Sequence, residues 1–305
     1  MTEKEERKID SRDRFDNKGI FYGTSAAEGI PNPFCGCYLC EYARKHGGKD
    51  VRMRSMFRIG EKMMIDMGPD ASVQALKYGD FRNLEYLLIT HTHEDHFAYM
   101  MINVRNMASQ KNVKTLNIYF TDKAYDIVDE MRNSSVFMKG NLKKIEDAGI
   151  VKFHHLEFGR EYEINGCKVV PLKGHHKGNM LESCANYLIR LPDGKMLYYG
   201  TDTGAYEADT LDYLSKVKLD IWITECTYGN GEDTYPDPGH LSYTTCLKEL
   251  KKLEEQGSIN SGCKVYATHI NHLHTAYHDK MQRMFDHTDF PYEFRVAYDG
   301  MEIDL

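Results

Sequence analysis

Residues 86–96 have the sequence YLLITHTHEDH, in which an apolar run is followed by four potential metal ligands, at His91, His93, Asp95 and His96. Imidazole and carboxylate groups suit zinc, manganese or iron, and four of them within six positions are unfavourable together unless a cation binds. Side chains alternate along an extended segment, so His91 and His93 can share one metal ion. The following turn carries Asp95 and His96 to a point where a second ion could bind about 3.5 to 4 Å away. The sequence therefore predicts a site for two metal ions at the end of a buried strand.

The composition is typical of a globular protein with a substantial core. Of the 305 residues, 41% are hydrophobic and 28% are charged, which is enough for a substantial core. The 39 basic and 46 acidic residues give a net charge of −7, so no general field attracts a nucleic-acid backbone. No stretch approaches the about 20 apolar residues that span a bilayer, and residues 1–18 are charged where a secretory signal would be apolar. We expect a cytoplasmic protein with no membrane partner and no stable nucleic-acid partner.

Hydrophobic periodicity predicts an alternation of strands and helices. Predicted strands cover residues 19–25, 86–90, 116–120, 161–171, 184–191, 195–200, 221–224 and 264–268, a hairpin covers 55–67, and predicted helices cover 97–109, 124–132 and 243–255. Because the sequence has no repeat, low-complexity tract or long linker, we expect one domain over residues 19–305 after a charged segment at residues 1–18. Two α/β halves packed sheet against sheet, with helices outside, would bring the polar strand ends to one edge.

The string at residues 91–96 matches the H-x-H-x-D-H signature of the metallo-β-lactamase superfamily in every specified position. The resemblance extends over nearly the whole chain. It includes Gly23-Thr24-Ser25, Asp66 in Ile65-Asp66-Met67-Gly68, His176 after Pro171-Leu172, Asp202 in Gly200-Thr201-Asp202-Thr203-Gly204, and His269. It implies an αββα sandwich, in which two mixed sheets lie face to face with helices outside and a dinuclear site lies at the edge between them.

The resemblance also implies a set of metal ligands. His91, His93 and His176 would hold one catalytic ion, Asp95, His96 and His269 would hold the second, and Asp202 would bridge them. These would be divalent ions, zinc or manganese, with iron as a third option. Asp66 would support the metal loop through hydrogen bonds.

Three of these positions have alternatives. Asp66 and Asp202 each lie in strings that could form ordinary turns, although Asp202 follows a predicted strand. His175 is adjacent to His176, and consecutive residues of an extended segment face opposite ways, so only one can point inward. In the nearest members of the family the ligand follows the proline by about five residues, and the same spacing from Pro171 selects His176.

A second cluster lies at residues 35–40, where Cys35, Cys37 and Cys40 supply three thiolates. Structural zinc takes four ligands, so a fourth must come from elsewhere. His272 is the candidate, with His274 and His278 as alternatives. Redox or core cysteines are the other interpretation. A zinc site of three cysteines and one histidine, together with the segment 23–31, resembles the phosphoribosyl cyclic phosphate phosphodiesterases.

We therefore expect hydrolysis of a small cyclic or nucleotide-like phosphodiester by a metal-bridging hydroxide, with Asp95 and His240 as catalytic side chains. His240 lies in Gly239-His240-Leu241-Ser242, similar to a His-x-Ser or His-x-Thr segment of phosphodiesterase members, and would donate a proton or bind phosphate. Its alternative is a capping turn with Ser242. The other functions considered are a transfer-RNA 3′-end endoribonuclease, a hydrolase of other esters or amides, and a non-catalytic zinc-binding protein. A homodimer is compatible with the sequence.

Overall fold

A computed structural model describes residues 17–108, 114–133, 141–230 and 239–305. Most of the predicted charged segment, residues 1–16, lies outside these ranges, and the assignment of a single domain to residues 19–305 stays a prediction. Within the described ranges the strands form two sheets of seven strands each. No helix in those ranges is long and apolar enough to cross a membrane.

The first sheet has the strand order β14-β1-β2-β3-β4-β5-β6 and combines antiparallel pairs with a parallel run from β3 to β6. Its strands are β1 (Lys18–Gly23), β2 (Met56–Ile59), β3 (Met63–Ile65), β4 (Tyr86–Leu88), β5 (Leu116–Thr121), β6 (Val151–Leu156) and β14 (Glu302–Asp304).

The second sheet has the order β13-β12-β11-β10-β9-β8-β7 and is parallel from β10 to β13. Its strands are β7 (Tyr162–Ile164), β8 (Cys167–Lys177), β9 (Ser183–Arg190), β10 (Met196–Gly200), β11 (Leu219–Glu225), β12 (Ile259–Thr268) and β13 (Glu293–Val296). The helices are α1 (Tyr38–His46), α2 (Ala71–Tyr78), α3 (Met100–Asn106), α4 (Asp122–Asn133), α5 (Asn141–Asp147), α6 (Ala208–Leu214), α7 (Tyr243–Glu255) and α8 (His278–Asp286).

Alternation along the strands builds three apolar layers. In β3, Met63 and Ile65 point into the core between the sheets, whereas Met64 points outward. The inter-sheet core combines residues such as Phe57 of the first sheet with Tyr199 of the second. The outer layers pack helices α2 to α5 on the first sheet and α1, α6, α7 and α8 on the second. This four-layer arrangement confirms the predicted αββα sandwich.

Two local predictions were wrong. Residues 161–171 form a hairpin of β7 and β8 rather than one strand, because Asn165 and Gly166 both take positive φ, the conformation of a tight two-residue turn. The predicted helix at 97–109 is also shorter and covers Met100–Asn106.

The two sheets meet where β4 ends. The backbone N–H of Ala185 donates to the carbonyl of Thr90 at 2.7 Å, and the Tyr187 hydroxyl donates to the carbonyl of Ile89 at 2.5 Å. These bonds fix the segment before His91 against the second sheet. Polar residues follow the neighbouring strands at the same edge, with Asp202 after β10 and His269 after β12.

Gly68 provides a test of how closely the loops at this edge pack. A Cβ added there would overlap the carbonyl oxygen of Asp95. We expect Gly68→Ala to lower the free energy of unfolding by about 1 to 3 kcal/mol, as overpacking does. The matched control is Gly262→Ala, because a Cβ there meets nothing within 4 Å. Urea denaturation measures both, and equal stability of the two variants would contradict the packing argument.

Candidate active site

Asp202 lies at the centre of a ring of histidines. Its Oδ2 atom is 3.2 Å from Nε2 of His91, 3.3 Å from Nε2 of His96, 3.6 Å from Nε2 of His176 and 3.8 Å from Nε2 of His269. The carboxylate is almost fully buried. Ligands about 2.1 Å from a tetrahedral ion lie about 3.4 Å from one another, so these separations have the scale of a metal site.

Of the groups of potential ligands at this site, two share Asp202 and a third contains Glu225, His240 and His269. One contains His91, His93, His176 and Asp202, and the other contains Asp95, His96, Asp202 and His269. In each group the ligand atoms lie within 4.8 Å of one another. This is the division that the resemblance implied, although the assignment of these side chains as metal ligands stays a prediction.

Asp66 orients two of the rings. Its carboxylate accepts hydrogen bonds from Nδ1 of His96 at 2.6 Å and from the Thr90 hydroxyl at 2.9 Å. Because the Thr90 hydroxyl donates its hydrogen bond to Asp66, its oxygen accepts a hydrogen bond from Nδ1 of His91 at 3.1 Å. Both rings therefore carry a proton on Nδ1 and turn Nε2 toward Asp202. Asp66 thus has the supporting position predicted for it, rather than that of a turn aspartate exposed to solvent.

Glu225, the last residue of β11, has the same function in the second sheet. Its Oε2 accepts a hydrogen bond from the Thr227 hydroxyl at 2.5 Å. The hydroxyl oxygen of Thr227 lies 2.9 Å from Nδ1 of His269. The hydroxyl must accept from His269, which leaves Nε2 of His269 facing the cluster. That nitrogen is buried and makes no hydrogen bond to any described residue. Glu225 also accepts from the backbone N–H groups of Thr203 and Gly204, and thereby anchors the loop that carries Asp202.

His240 joins the site from the loop before α7. Its Nδ1 is 3.0 Å from Oδ1 of Asp202 and 3.2 Å from Oε2 of Glu225. The predicted capping turn also exists, but it belongs to Ser242, whose side chain forms a capping box with Thr245. The two interpretations of this segment are therefore compatible.

Burial and neighbouring carboxylates shift the pKa values of the histidines at this edge in opposite directions. Burial lowers the pKa of His91 to about 3, and it also lowers the pKa values of His93 and His269, so these rings are neutral at physiological pH. Burial acts in the same direction on His96, but Asp95 and Asp66 raise its pKa well above the ordinary value. The additional proton on His96 would lie on Nε2, where a metal ion would replace it.

The structure separates the two adjacent histidines of β8. The ring of His176 approaches Nδ1 of His93 to 3.5 Å and lies in the first ligand group. The ring of His175 instead pairs with Glu207, with Nδ1 to Oε1 at 2.9 Å. The geometry favours His176 as the ligand.

The cysteine cluster is also assembled. The side chains of Cys35, Cys37, Cys40 and His272 bring one ligand atom each within 4.8 Å of one another. Nδ1 of His272 is 3.5 Å from Sγ of Cys37. Burial opposes ionisation of Cys37, but hydrogen bonds, that to His272 foremost, lower the pKa of the thiol. His278 lies elsewhere, against Arg52.

Two supporting carboxylates were not found from the sequence. Besides Glu225, Glu182 accepts hydrogen bonds from the backbone N–H of Thr92 at 2.6 Å and from its hydroxyl. Thr92 lies between His91 and His93, so Glu182 fixes the loop that carries both rings. The sequence contains a signal for Glu225, because it is an acidic residue at the end of an apolar strand. Asp202 has a similar position, two residues after β10. Glu182 had no such signal, because its partner is 90 positions away.

The family model of the beta-lactamase superfamily domain matches residues 61–270, which is more than half of the chain. The chain belongs to the metallo-β-lactamase superfamily. It is a metal-dependent hydrolase. The matched region contains Asp66 and the two catalytic ligand groups but not the cysteine cluster, so the cysteine site lies outside what the superfamily model covers.

Individual relatives are more distant. A ribonuclease Z from Archaeoglobus fulgidus is 26% identical over 119 residues, which are 38% of this chain and only 36% of that relative. Among solved structures, a diphosphatase of the PhnP family is 20% identical with a TM-score of 0.67, covering 94% of this chain and 97% of the other. Zinc-bound PqqB from Methylobacterium extorquens is 16% identical with a TM-score of 0.68, covering 94% and 100%. At these identities the structural likeness shows the metallo-β-lactamase fold.

The two histidines of β8 allow a direct test within this superfamily site. We expect His176→Ala to remove bound metal and to lower kcat at least about 100-fold, because it deletes a ligand. His175→Ala should retain the metal content and most of the activity, because it loses only the partly exposed pair with Glu207. Elemental analysis and steady-state rates measure both, and a larger loss in the His175 variant would reverse the assignment.

Proposed function

We propose that this metal-dependent hydrolase is a dinuclear phosphodiesterase that cleaves a small phosphodiester, such as a cyclic ribose phosphate or a short nucleotide. The observation that carries the proposal is the position of Asp202, which belongs to both ligand groups while His240, itself hydrogen-bonded to Glu225, lies against its other oxygen. Phosphoryl transfer to water requires activation of the water, which two metal ions provide, and protonation of the leaving oxygen, which a neighbouring proton donor provides.

The side chains fit two divalent ions. His91, His93 and His176 would hold one ion and Asp95, His96 and His269 the other, with Asp202 shared. Nε2 of His96 and Nε2 of His269 are buried and make no hydrogen bond with the described part of the chain. Such buried, unpaired nitrogens are costly unless they have a ligand, and both face carboxylates.

When bound, two such ions would make water nucleophilic at neutral pH and stabilise negative charge on a phosphoryl oxygen. The side chains of the chain would complete the reaction. Carboxylates only accept hydrogen bonds, so His240 must donate from Nδ1 to Glu225, with Oδ1 of Asp202 also 3.0 Å from that nitrogen. Its Nε2 edge then faces away from them and can donate a proton to the leaving oxygen or bind a phosphoryl oxygen. Asp95 and Asp202 would orient the nucleophile.

The cavity supports a small substrate. Its volume is about 300 Å³, at the lower end of ordinary small-molecule sites, and it is lined by His93, Asp95, His176 and His240 among others. Its lining contains no lysine or arginine among the described residues. With a net charge of −7, the protein has no general attraction for a polyanion. An RNA substrate is the second candidate, favoured by the match to ribonuclease Z.

The cysteine cluster would bind a third ion, a structural zinc. Three thiolates and one imidazole, whose ligand atoms lie within 4.8 Å of one another, make up the four ligands of a tetrahedral zinc site. Such a site contributes to folding rather than to the reaction. It joins the loop after β1 to the segment after β12, which also carries His269.

Metal content tests the whole scheme. We expect the purified protein to contain about three metal ions per chain, two catalytic and one structural. Cys37→Ser should remove about one ion and lower the melting temperature, because structural zinc stabilises the fold. The control is Cys263→Ser, which changes a buried cysteine outside the cluster. A wild-type content of one ion per chain by elemental analysis would contradict the scheme.

Substrate choice is tested by comparing the kcat/KM values of two substrates. With one metal-loaded preparation, we expect a cyclic ribose phosphate to exceed a 3′-extended transfer RNA in kcat/KM by at least about tenfold, because the described lining of the catalytic cavity contains no lysine or arginine to bind RNA. A chromogenic β-lactam and a thioester serve as controls for other hydrolysis. A clear advantage of the transfer RNA would favour the nuclease instead.

A further inference from the structure

Tyr228 forms part of the wall of the catalytic cavity. It lines the same cavity as Asp95 and His240, and its side chain is partly exposed. Its ring packs edge to face against the imidazole of His240, with the ring centroids 5.4 Å apart and the ring planes at 87°. Such contacts are directional, because the positive edge of one ring meets the negative face of the other. Tyr228 therefore favours one orientation of the imidazole that would donate the proton.

Tyr228 is itself held against the segment after β12. The imidazole of His274 packs against the Tyr228 ring, with the centroids 5.4 Å apart and the planes at 85°. The backbone is joined at the same place, since the N–H of Asn271 donates to the carbonyl of Thr227 at 3.0 Å. The ring is thus in place before any substrate arrives.

The backbone also joins Tyr228 to the segment that carries His240. The N–H of Tyr228 donates to the carbonyl of Leu241 at 3.0 Å, and the N–H of Tyr243 donates to the carbonyl of Gly229 at 2.7 Å. The two rings therefore keep their relative position through main-chain hydrogen bonds as well as through the contact between them.

The orientation of His240 decides whether it can donate its proton. Its Nδ1 lies against Glu225 and Asp202, which leaves Nε2 to face the leaving oxygen. The terminal torsion of a histidine is broad, so a hydrogen bond at one nitrogen leaves the other free to swing. A proton donor acts only within about 2.6 to 3.2 Å of the oxygen that it protonates. A contact on the ring itself is needed to keep Nε2 in that range.

We propose that Tyr228 is a positioning residue that holds the imidazole of His240 in the orientation for protonating the leaving oxygen. The inference rests on the proposed phosphodiesterase function. In that reaction the water oxygen bonds to phosphorus, the bond from phosphorus to the leaving oxygen breaks, and the leaving oxygen takes the proton from Nε2 of His240. The attacking water loses one proton to the solvent, from which His240 is reprotonated. The ring of Tyr228 has this role rather than its hydroxyl, because the ring contacts His240.

Leaving groups of different basicity separate positioning from a general structural role. The p-nitrophenyl ester of uridine 5′-phosphate releases a stable anion that needs no proton, whereas both leaving oxygens of the methyl ester are alkoxides that need one. We expect Tyr228→Leu to lower kcat/KM for the methyl ester about 10- to 100-fold, as displacement of an oriented acid does, and to leave the p-nitrophenyl ester almost unchanged. Tyr228→Phe keeps the ring and should restore cleavage of the methyl ester.

His240→Ala is the reference variant and should show the same selective loss. Adding Tyr228→Leu to it should cause no further loss, because residues that act through one group are not additive. The matched control is Tyr125→Leu, which removes a tyrosine that also contacts a histidine, His155, but does not line the cavity. Its kcat/KM values for both esters should equal those of the wild type.

Nuclear magnetic resonance of ¹⁵N-labelled histidine rings gives a measurement that does not depend on turnover. The ring resonance that His240→Ala removes belongs to His240. Tyr228→Leu should broaden that resonance because the ring becomes mobile, whereas Tyr228→Phe should keep the wild-type line width. Elemental analysis should find the wild-type metal content in both Tyr228 variants.

Three results in Tyr228→Leu would overturn the proposal: no selective loss of methyl ester cleavage, a sharp His240 resonance, or loss of bound metal. An equal loss in Tyr228→Phe would also overturn it, since the hydroxyl would then be responsible. Cleavage of the p-nitrophenyl ester alone by the wild type, or an equal loss of both esters in His240→Ala, would show that His240 is not the proton donor, and the proposal would fail with it. Failure of the metal-loaded wild type to cleave either ester, or a cyclic ribose phosphate, would instead reject the phosphodiesterase function.

Discussion

The burial of Asp202 among histidines is the constraint on which the rest of the structure depends. A carboxylate removed from water is stable only if positive charge or hydrogen-bond donors replace the solvent. Burial alone would raise the pKa of Asp202, but the neighbouring His269 and His240 lower it well below the ordinary value. The carboxylate therefore stays ionised and attracts cations. A divalent ion satisfies this demand better than protons on several rings, because it adds charge without requiring each imidazole to be protonated.

Each sheet contributes one carboxylate that orients the imidazoles around this centre. Asp66 follows β3 of the first sheet, and Glu225 ends β11 of the second. Both act through a threonine hydroxyl, Thr90 in the first case and Thr227 in the second. The site is therefore an interface between the two sheets, and neither sheet could form it alone. This explains why the backbone is strained there, since Asp66, Asp202 and His269 have φ values of 62°, 51° and 57°. For residues other than glycine such values cost about 1 to 3 kcal/mol each.

The sequence contained the local part of this design but not the long-range part. The string at residues 91–96 predicted four ligands because its information is contained in six adjacent positions. Alternation along a strand also predicted that only one of His175 and His176 points inward, and in the structure His176 lies in the first ligand group while His175 pairs with Glu207. Glu182 could not be found in this way, since its partner Thr92 is 90 positions away. The missed hairpin at Asn165 and Gly166 was different, because its turn signal was present and was outweighed by the apolar pattern on both sides.

The segment after β12 links the two proposed metal sites. His269 and Asn271 line the catalytic cavity, whereas His272 lies against Cys37. The same segment is bonded to the end of β1, since the N–H of Ile270 donates to the carbonyl of Thr24 at 2.9 Å. A zinc ion held by the cysteines and His272 would therefore fix the neighbouring Asn271, whose side-chain nitrogen donates to the carboxylate of Glu28. By this argument a structural ion would stabilise more than the fold, because it would also fix the segment that brings His269 and Asn271 to the catalytic cavity.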